Sequence, residues 1–506
     1  MLRLSSLAQA LLWDLRRVHQ QLTNTAATSA LAALGMVSAL LYWWGFAAPF
    51  SLLEYHDRPL LDLYRIVQFK PGARALLISL FLAQGALYWF GWRAAQRAQG
   101  WLAWWIVVGS ALLFSWLLLW MYPFGAADIF DNIIHGRVLG VYGDNPFLQP
   151  PSAFPDDPFL PYVAWPKSTS AYGPGWELLA GATAWLVGDS VIANVIAFKT
   201  LAGLFLIAGI VVVALILRRM APERALAGVL LLAWNPVILY ETWGNGHNDM
   251  AMVLWILAAA GALVYRRYTL AVLALVVGGL FKFIPLLMLP AAGLIALREL
   301  EGWGRRLRFV AITGLSAVAL MVAAYWPFWE GAGVLTIARR MYLYTTSLPA
   351  ALVALLTPLI GPDASAQWVA LGAAGVTALW ALWQGVVAWR DRTWLSFPHA
   401  AFMVLMFYLL LTCLWFQQWY AVWPLGVAAL LPPGHAARLA AFFGAVAMSK
   451  QLIFEPLWLW ERPLPPKAWR EVRLGPAVLA APWLYVIAWW WRARREKKDA
   501  AHQPRV

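Results

Sequence analysis

Cysteine is almost absent from this chain: Cys413 is the only one in 506 residues. That excludes a disulfide framework and any cysteine-built metal site. Charge is scarce as well, with 12% Asp, Glu, Lys and Arg, where a soluble domain carries about 25%. There is no glycine-rich phosphate loop of the nucleotide-binding kind, no low-complexity linker and no evident internal repeat. What fills the chain instead is apolar: 62% of residues are hydrophobic and 34 are Trp. So many Trp do not fit one core, but they suit the two membrane–water interfaces of many short spans. The composition is that of an all-α integral membrane protein, a polytopic helix bundle in contact with the lipid bilayer.

A spanning helix needs about 20 apolar residues. Candidate stretches run near 27–50, 74–92, 101–121, 191–217, 225–240, 250–265, 268–281, 284–297, 308–326, 365–389, 396–414, 420–432, 437–454 and 474–491, about 14 crossings. Two further apolar stretches, Trp176–Val187 and Leu348–Ile360, are short, and Pro358 breaks the second. They read as re-entrant or interfacial helices. The net charge of +14 gathers in short connections and at the tail: Arg93, Arg97, Arg218, Arg219, Arg266, Arg267, Arg305, Arg306, Arg308 and the segment Arg492–Lys498. This is the positive-inside signature and not a nucleic-acid patch. With a cytoplasmic N-terminus, the basic turns fall inside and both termini are cytoplasmic. The connections at 54–71, 121–187, 241–249, 328–364, 416–419 and 455–474 fall outside. The first 25 residues show no cleavable signal pattern, so the first span is expected to serve as an uncleaved anchor.

One stretch breaks the apolar character. Met121–Trp176 holds Asp128, Asp131, His135, Arg137, Asp144, Asp156, Asp157 and Lys167 among many Pro and Gly. Such a segment cannot run through hydrocarbon, and a long loop on a rigid scaffold is where chemistry is commonly placed. We read the chain as one integral domain over 1–506. It has extra N-terminal spans in 1–100, the outer catalytic loop at 121–187, the remaining spans at 188–492 and a basic tail at 493–506.

Asp128 and Asp131 lie three apart and share a helix face. Either can act as general base toward a hydroxyl, or Asp128 can cap the helix that follows. Arg137 can hold a phosphate through two parallel bonds, or simply pair with Asp131 or a lipid headgroup. His135 beside the acids is a metal ligand only if others join it, and the sequence offers no such cluster. Asn248 and Asp249 stand where a helix begins and can cap it, while His247 and Asp249 can also bond sugar hydroxyls. Lys282 interrupts the apolar run VVGGLFKFIPLLMLP; it either binds a lipid-linked phosphate or snorkels to the headgroups. Lys199 is a weaker second candidate. Gln417, Gln418 and Trp419 form an aromatic, amide-bearing edge that suits interface anchoring or sugar stacking.

The residues DIFDNIIHGRVLGVYGDNPF from Asp128 to Phe147 resemble the first large outer loop of GT-C fold glycosyltransferases. The likeness is to prokaryotic mannosyltransferase-like members (glycosyltransferase family 87-like) that use polyprenyl-phosphate sugars. Gly136-Arg137, Gly143 to Phe147, Ser170 to Pro174 with Tyr172, Gly246 to Asp249, Lys282 to Pro285, and Trp419-Tyr420 with Trp423-Pro424 match in order across roughly residues 120–425. Two departures stand out: three spans precede the loop where the family usually has one, and His135 replaces an Asp before Gly-Arg. The resemblance implies an inverting hexosyltransferase, with mannose as the family's usual sugar. Asp128 would be the base, with Asp131 as second choice. Lys282 and Arg137 would hold the donor phosphate, and His247, Asp249, Tyr172, Gln418 and Trp419 would bind substrate. It implies a polyprenyl-phosphate donor, a cell-envelope glycolipid or polysaccharide acceptor on the outer face of the cytoplasmic membrane, and no cofactor or metal. A transporter or flippase of polyprenyl-linked glycans is the alternative; it should carry mid-membrane charges and paired halves. A scaffold protein of the envelope would need neither Asp128 nor Lys282.

Overall fold

The computed structural model describes residues 2–68, 70–331, 334, 343–455 and 467–502; side chains are described from Leu22 to Trp491, apart from a few positions. Parts of the expected connections at 328–364 and 455–474, and the end of the tail expected at 493–506, lie outside the described residues. Among those described there are helices and turns but no strand, only two isolated bridges, Ser51–Met121 and Thr345–Trp415. The all-helical reading therefore holds.

Among the described residues eight helices are long and apolar enough to cross a membrane: Leu22–Ala47, Gly72–Ala95, Trp101–Leu119, Val191–Met220, Trp303–Phe328, Pro362–Arg390, His435–Phe454 and Arg470–Trp489. Each coincides with a stretch expected from hydropathy. A ninth arises if Pro222–Ala233 and Pro236–Gly244 count as one span bent by 45°. The bend has a local cause. Pro236 cannot continue the preceding helix's bonding, and Asn235 restarts it by accepting from Val237 N at 3.0 Å and Ile238 N at 3.2 Å. Three other expected spans are shorter helices, Asp249–Val264, Tyr268–Gly279 and Ser396–Thr412. The stretch at 284–297 divides into a 3-10 turn and the helix Leu289–Glu299, and that at 420–432 holds only Val422–Ala428 as α-helix. Apolar composition alone does not distinguish a span from a short buried helix, because hydropathy counts side chains and not where prolines and glycines stop the backbone ladder.

One large apolar cluster runs through the bundle, and a small second one joins Phe147, Phe328 and Val334. The N-terminal spans are integral to the large cluster: Gln84 donates to Ser38 O at 3.0 Å, Tyr88 to Leu231 O at 3.1 Å, and Trp234 to Val107 O at 2.8 Å.

The polar loop folds as two packed helices, Asp128–Gly140 and Pro174–Val187. They approach so closely that a Cβ on Gly136 would run into the Ala180 carbonyl. Between them, Trp176 Nε1 donates to Asn132 Oδ1 at 2.8 Å. The start of the loop is held from several sides. Buried Lys199 donates to the carbonyls of Leu118, Leu119 and Met121 at the C-terminal end of Trp101–Leu119. Gly125 donates to Asn245 Oδ1 at 3.0 Å and accepts from Gln451 Nε2 at 2.8 Å. Asn145 ties the loop's far side to Phe328 O at 2.7 Å.

Candidate active site

Asp128 and Asp131 both fall in the first turn of the loop helix, whose N-cap is Ala127 with no side-chain cap bond. Asp128 therefore does not cap the helix, and its carboxylate makes no hydrogen bond among the described residues. The helix N-terminus stabilises its negative charge. Asp131 lies deeper and accepts from Trp165 N at 3.3 Å. His135 meets Ser168 O at 3.1 Å.

Residues from distant parts of the chain lie near enough to Asp128 for their charges to act on it. Lys282 Nζ contacts Asp249 Oδ1 at 2.7 Å, and Trp423 Nε1 donates to the same oxygen at 2.5 Å. The Lys282 ammonium also faces the rings of Tyr172 at 5.2 Å and Tyr420 at 5.6 Å, an arrangement that attracts a cation. Tyr172 arrives there because the Ser170–Pro174 turn is bonded to the lysine's own loop: Gly173 N donates to Phe281 O and Gly175 N to Leu280 O, each at 3.0 Å. A Cβ on Gly173 would collide with Leu280 O, so this close approach requires glycine. Pro174 then opens the next helix at a position where its missing N–H costs nothing.

His247 forms the third side. Its Nδ1 lies 2.9 Å from Glu241 Oε2, and its ring stacks on Trp419 with centroids 4.1 Å apart. Asn248 is the N-cap of Asp249–Val264 without a side-chain cap bond, so neither Asn248 nor Asp249 is spent on capping. Glu241 is the residue that sequence reasoning missed. It lies in a π-helical turn, Tyr240–Gly244, at the end of the bent span, and it is fully buried. A single acid at a helix end gave no signal of its own. An unusual helical turn of this kind often marks a functional position.

The electrostatics tie these groups together. Burial raises the Asp128 carboxyl above its ordinary value; the nearby charges of His247 and Lys282 pull it down, while Asp249 and Glu241 add to the rise. For His247, burial works against the charged form, but the close contact with Glu241 and the charges of Glu241, Asp128 and Asp249 win and raise it above the ordinary imidazole value. Hydrogen-bonding capacity is left open here. Asp249 Oδ2, His247 Nε2, Asn248 Oδ1, Glu241 Oε1 and Gln418 Oε1 are buried with no partner among the described residues. Buried polar atoms are rarely left so, and a polyhydroxylated ligand would satisfy them.

Arg137 is placed differently. Its guanidinium pairs with Asp157 at 2.7 Å and Asp189 at 2.8 Å, donates to Gly188 O at 3.0 Å and lies over the Phe159 ring at 5.0 Å. None of these partners belongs to the cluster around Lys282. Among the described residues no group of three or more His, Cys, Asp and Glu is arranged to hold a metal ion.

The family model for alpha-(1->6)-mannopyranosyltransferase, N-terminal domain, matches residues 32–298. This span includes the loop, the Glu241–Asp249 segment and Lys282. Over 464 residues the chain is 25% identical to alpha-(1->6)-mannopyranosyltransferase A of Mycobacterium tuberculosis, covering 84% of each protein. No solved structure matches the chain. Neither match supports the transporter alternative. The chain belongs to the alpha-(1->6)-mannopyranosyltransferase family of membrane glycosyltransferases.

Proposed function

We propose that the protein transfers mannose from a polyprenyl-phosphate donor to a hydroxyl of a cell-envelope glycolipid or polysaccharide, inverting the anomeric centre. The α-(1→6) linkage in the relative's name points to a primary 6-hydroxyl as the attacking group. The observation that carries the reading is the meeting of Asp128, Lys282–Asp249 and Glu241–His247 from three separated segments around unsatisfied polar atoms.

In this reading Asp128 accepts the hydroxyl proton while the oxygen attacks the anomeric carbon. The bond from that carbon to the phosphate oxygen breaks, and the electron pair leaves on the polyprenyl phosphate. Lys282 faces this developing charge. Asp249 engages one of its ammonium hydrogens, which fixes its position, and the others remain for phosphate oxygens. A preorganised cation stabilises charge as it forms without reorganising. His247, Gln418 and Trp419 receive sugar hydroxyls and a ring face, with Tyr172 closing the side toward the lysine. Asp131 stays second choice as base. Arg137 holds the loop together and does not contact the phosphate. The reaction as written passes through no metal.

We place the site on the outer face. Arg266 and Arg267 lie at the opposite end of the helix that begins with Asp249, so the cluster falls on the arginine-poor side. The test is transfer by purified protein in sealed lipid vesicles, offered polyprenyl-phosphate mannose or a nucleotide-linked mannose. Product from the lipid donor alone is expected. Product from the nucleotide sugar alone would overturn the donor assignment.

A further inference from the structure

A second charged feature lies at the other end of the molecule. The helix Asp249–Val264 starts in the candidate site and has 16 residues, so its far end is about 24 Å away. There the chain reverses at Arg266, which takes a left-handed conformation (φ 57°), and Arg267 N closes the turn on Ala262 O at 2.7 Å. Between the start of the next helix, Tyr268–Gly279, and the start of Trp303–Tyr325 lies an open cavity of about 430 Å³. Arg266, Arg267, Arg305 and Arg308 line it, with Leu270 and Ile312 among its apolar walls.

The charge there is poorly balanced. Arg305 pairs with Glu301 at 3.0 Å, an exposed contact; Arg266, Arg267 and Arg308 have no ion pair among the described residues. The apolar side is just as open. Trp303–Phe328 is a span with only 6% of its most apolar window buried against protein. It exposes Val310, Ile312 and Leu315 just beyond Arg308. An arginine-lined cavity continuous with a bare spanning helix matches one kind of molecule: a phosphate-bearing head with acyl chains running away from it.

We propose that this cavity is a binding site for an anionic phospholipid, its phosphodiester head between Arg266, Arg267 and Arg308 and its chains along the Ile312–Leu315 face. Arginine suits the head because its planar fork matches phosphate oxygens. The head is held by charge and the chains by the apolar wall, so a soluble phosphate should bind far more weakly. This site is independent of the transfer reaction and stands whether or not that reading is correct.

The experiment counts lipids retained by the purified full-length protein, using native mass spectrometry after exchange into mixed micelles of phosphatidylglycerol and phosphatidylcholine. Wild type should retain phosphatidylglycerol preferentially, and Arg266→Gln with Arg308→Gln should lower that preference about tenfold or more. The control is Arg218→Gln with Arg219→Gln, a basic pair that stacks on Trp104 and Tyr265 and does not line the cavity. An equal loss in the control would show general surface charge and overturn the site. Displacement of the lipid by millimolar glycerol phosphate would also overturn it, in favour of a free-anion pocket. Unchanged retention in the Arg266/Arg308 variant, with intact thermal unfolding, would reject it outright.

Discussion

Arg137 and Lys282 are both cations brought to the polar loop, and the structure treats them in opposite ways. Arg137 is closed off: two carboxylates, a carbonyl and an aromatic face take up its guanidinium. Lys282 has one carboxylate and two ring faces, and the atoms around it include several buried oxygens and a ring nitrogen without partners. A saturated cluster lowers its energy in the folded protein alone, as a group that holds the loop would. An unsaturated buried cluster is costly by itself and is relieved only when a ligand arrives.

The largest effect should come from removing the proposed base. Asp128→Asn should lower transfer by roughly a hundredfold to ten-thousandfold with folding intact, and Asp131→Asn should cost far less. Equal losses at the two positions, in a single-turnover assay, would remove the distinction between them. Next is the closed cluster. Arg137→Gln leaves the fully buried Asp157 without its cation, which should cost roughly 3–5 kcal/mol of stability. The KM for donor in the remaining folded protein should stay unchanged; a raised KM there would return Arg137 to the phosphate.

Lys282→Gln should behave the other way. Donor kcat/KM in the folded protein should fall by about thirtyfold or more, and Lys282→Arg should recover part of the activity. Because Asp249 is itself buried and loses its cation, some stability is lost as well; an unchanged donor kcat/KM in the folded fraction would make Lys282 a structural residue.

The smallest effect is on pH dependence. A base must be ionised, so the rate should fall as pH drops through the Asp128 carboxyl, whose burial has moved it upward. His247 lowers that same carboxyl through its positive charge. His247→Gln removes this opposition, so the acid limb of the pH–rate profile should move to higher pH. An unmoved limb would show that His247 does not face the base.

Much of this was legible in the sequence, and for identifiable reasons. Spans announce themselves because lipid demands apolar side chains over a set length, and each of the eight full-length helices was visible in that way. Asp128, His247, Asp249 and Lys282 were visible because polar residues are conspicuous where hydrocarbon surrounds them. Glu241 was not, because one acid at the end of a span looks like an ordinary boundary residue until His247 is seen beside it.

The sequence by itself determined the class of molecule, the positions of its long helices and the stretch that is too polar to be one of them. Those properties depend on composition and spacing along the chain. Tertiary structure alone decided which charges are neutralised and which are left open. Arg137 is separated from Asp157 by 20 residues and Lys282 from Asp249 by 33, and nothing in the local pattern says that the first pair lies in a closed cluster and the second in an open one. That difference depends on which atoms surround each pair, and it exists only once the helices have packed.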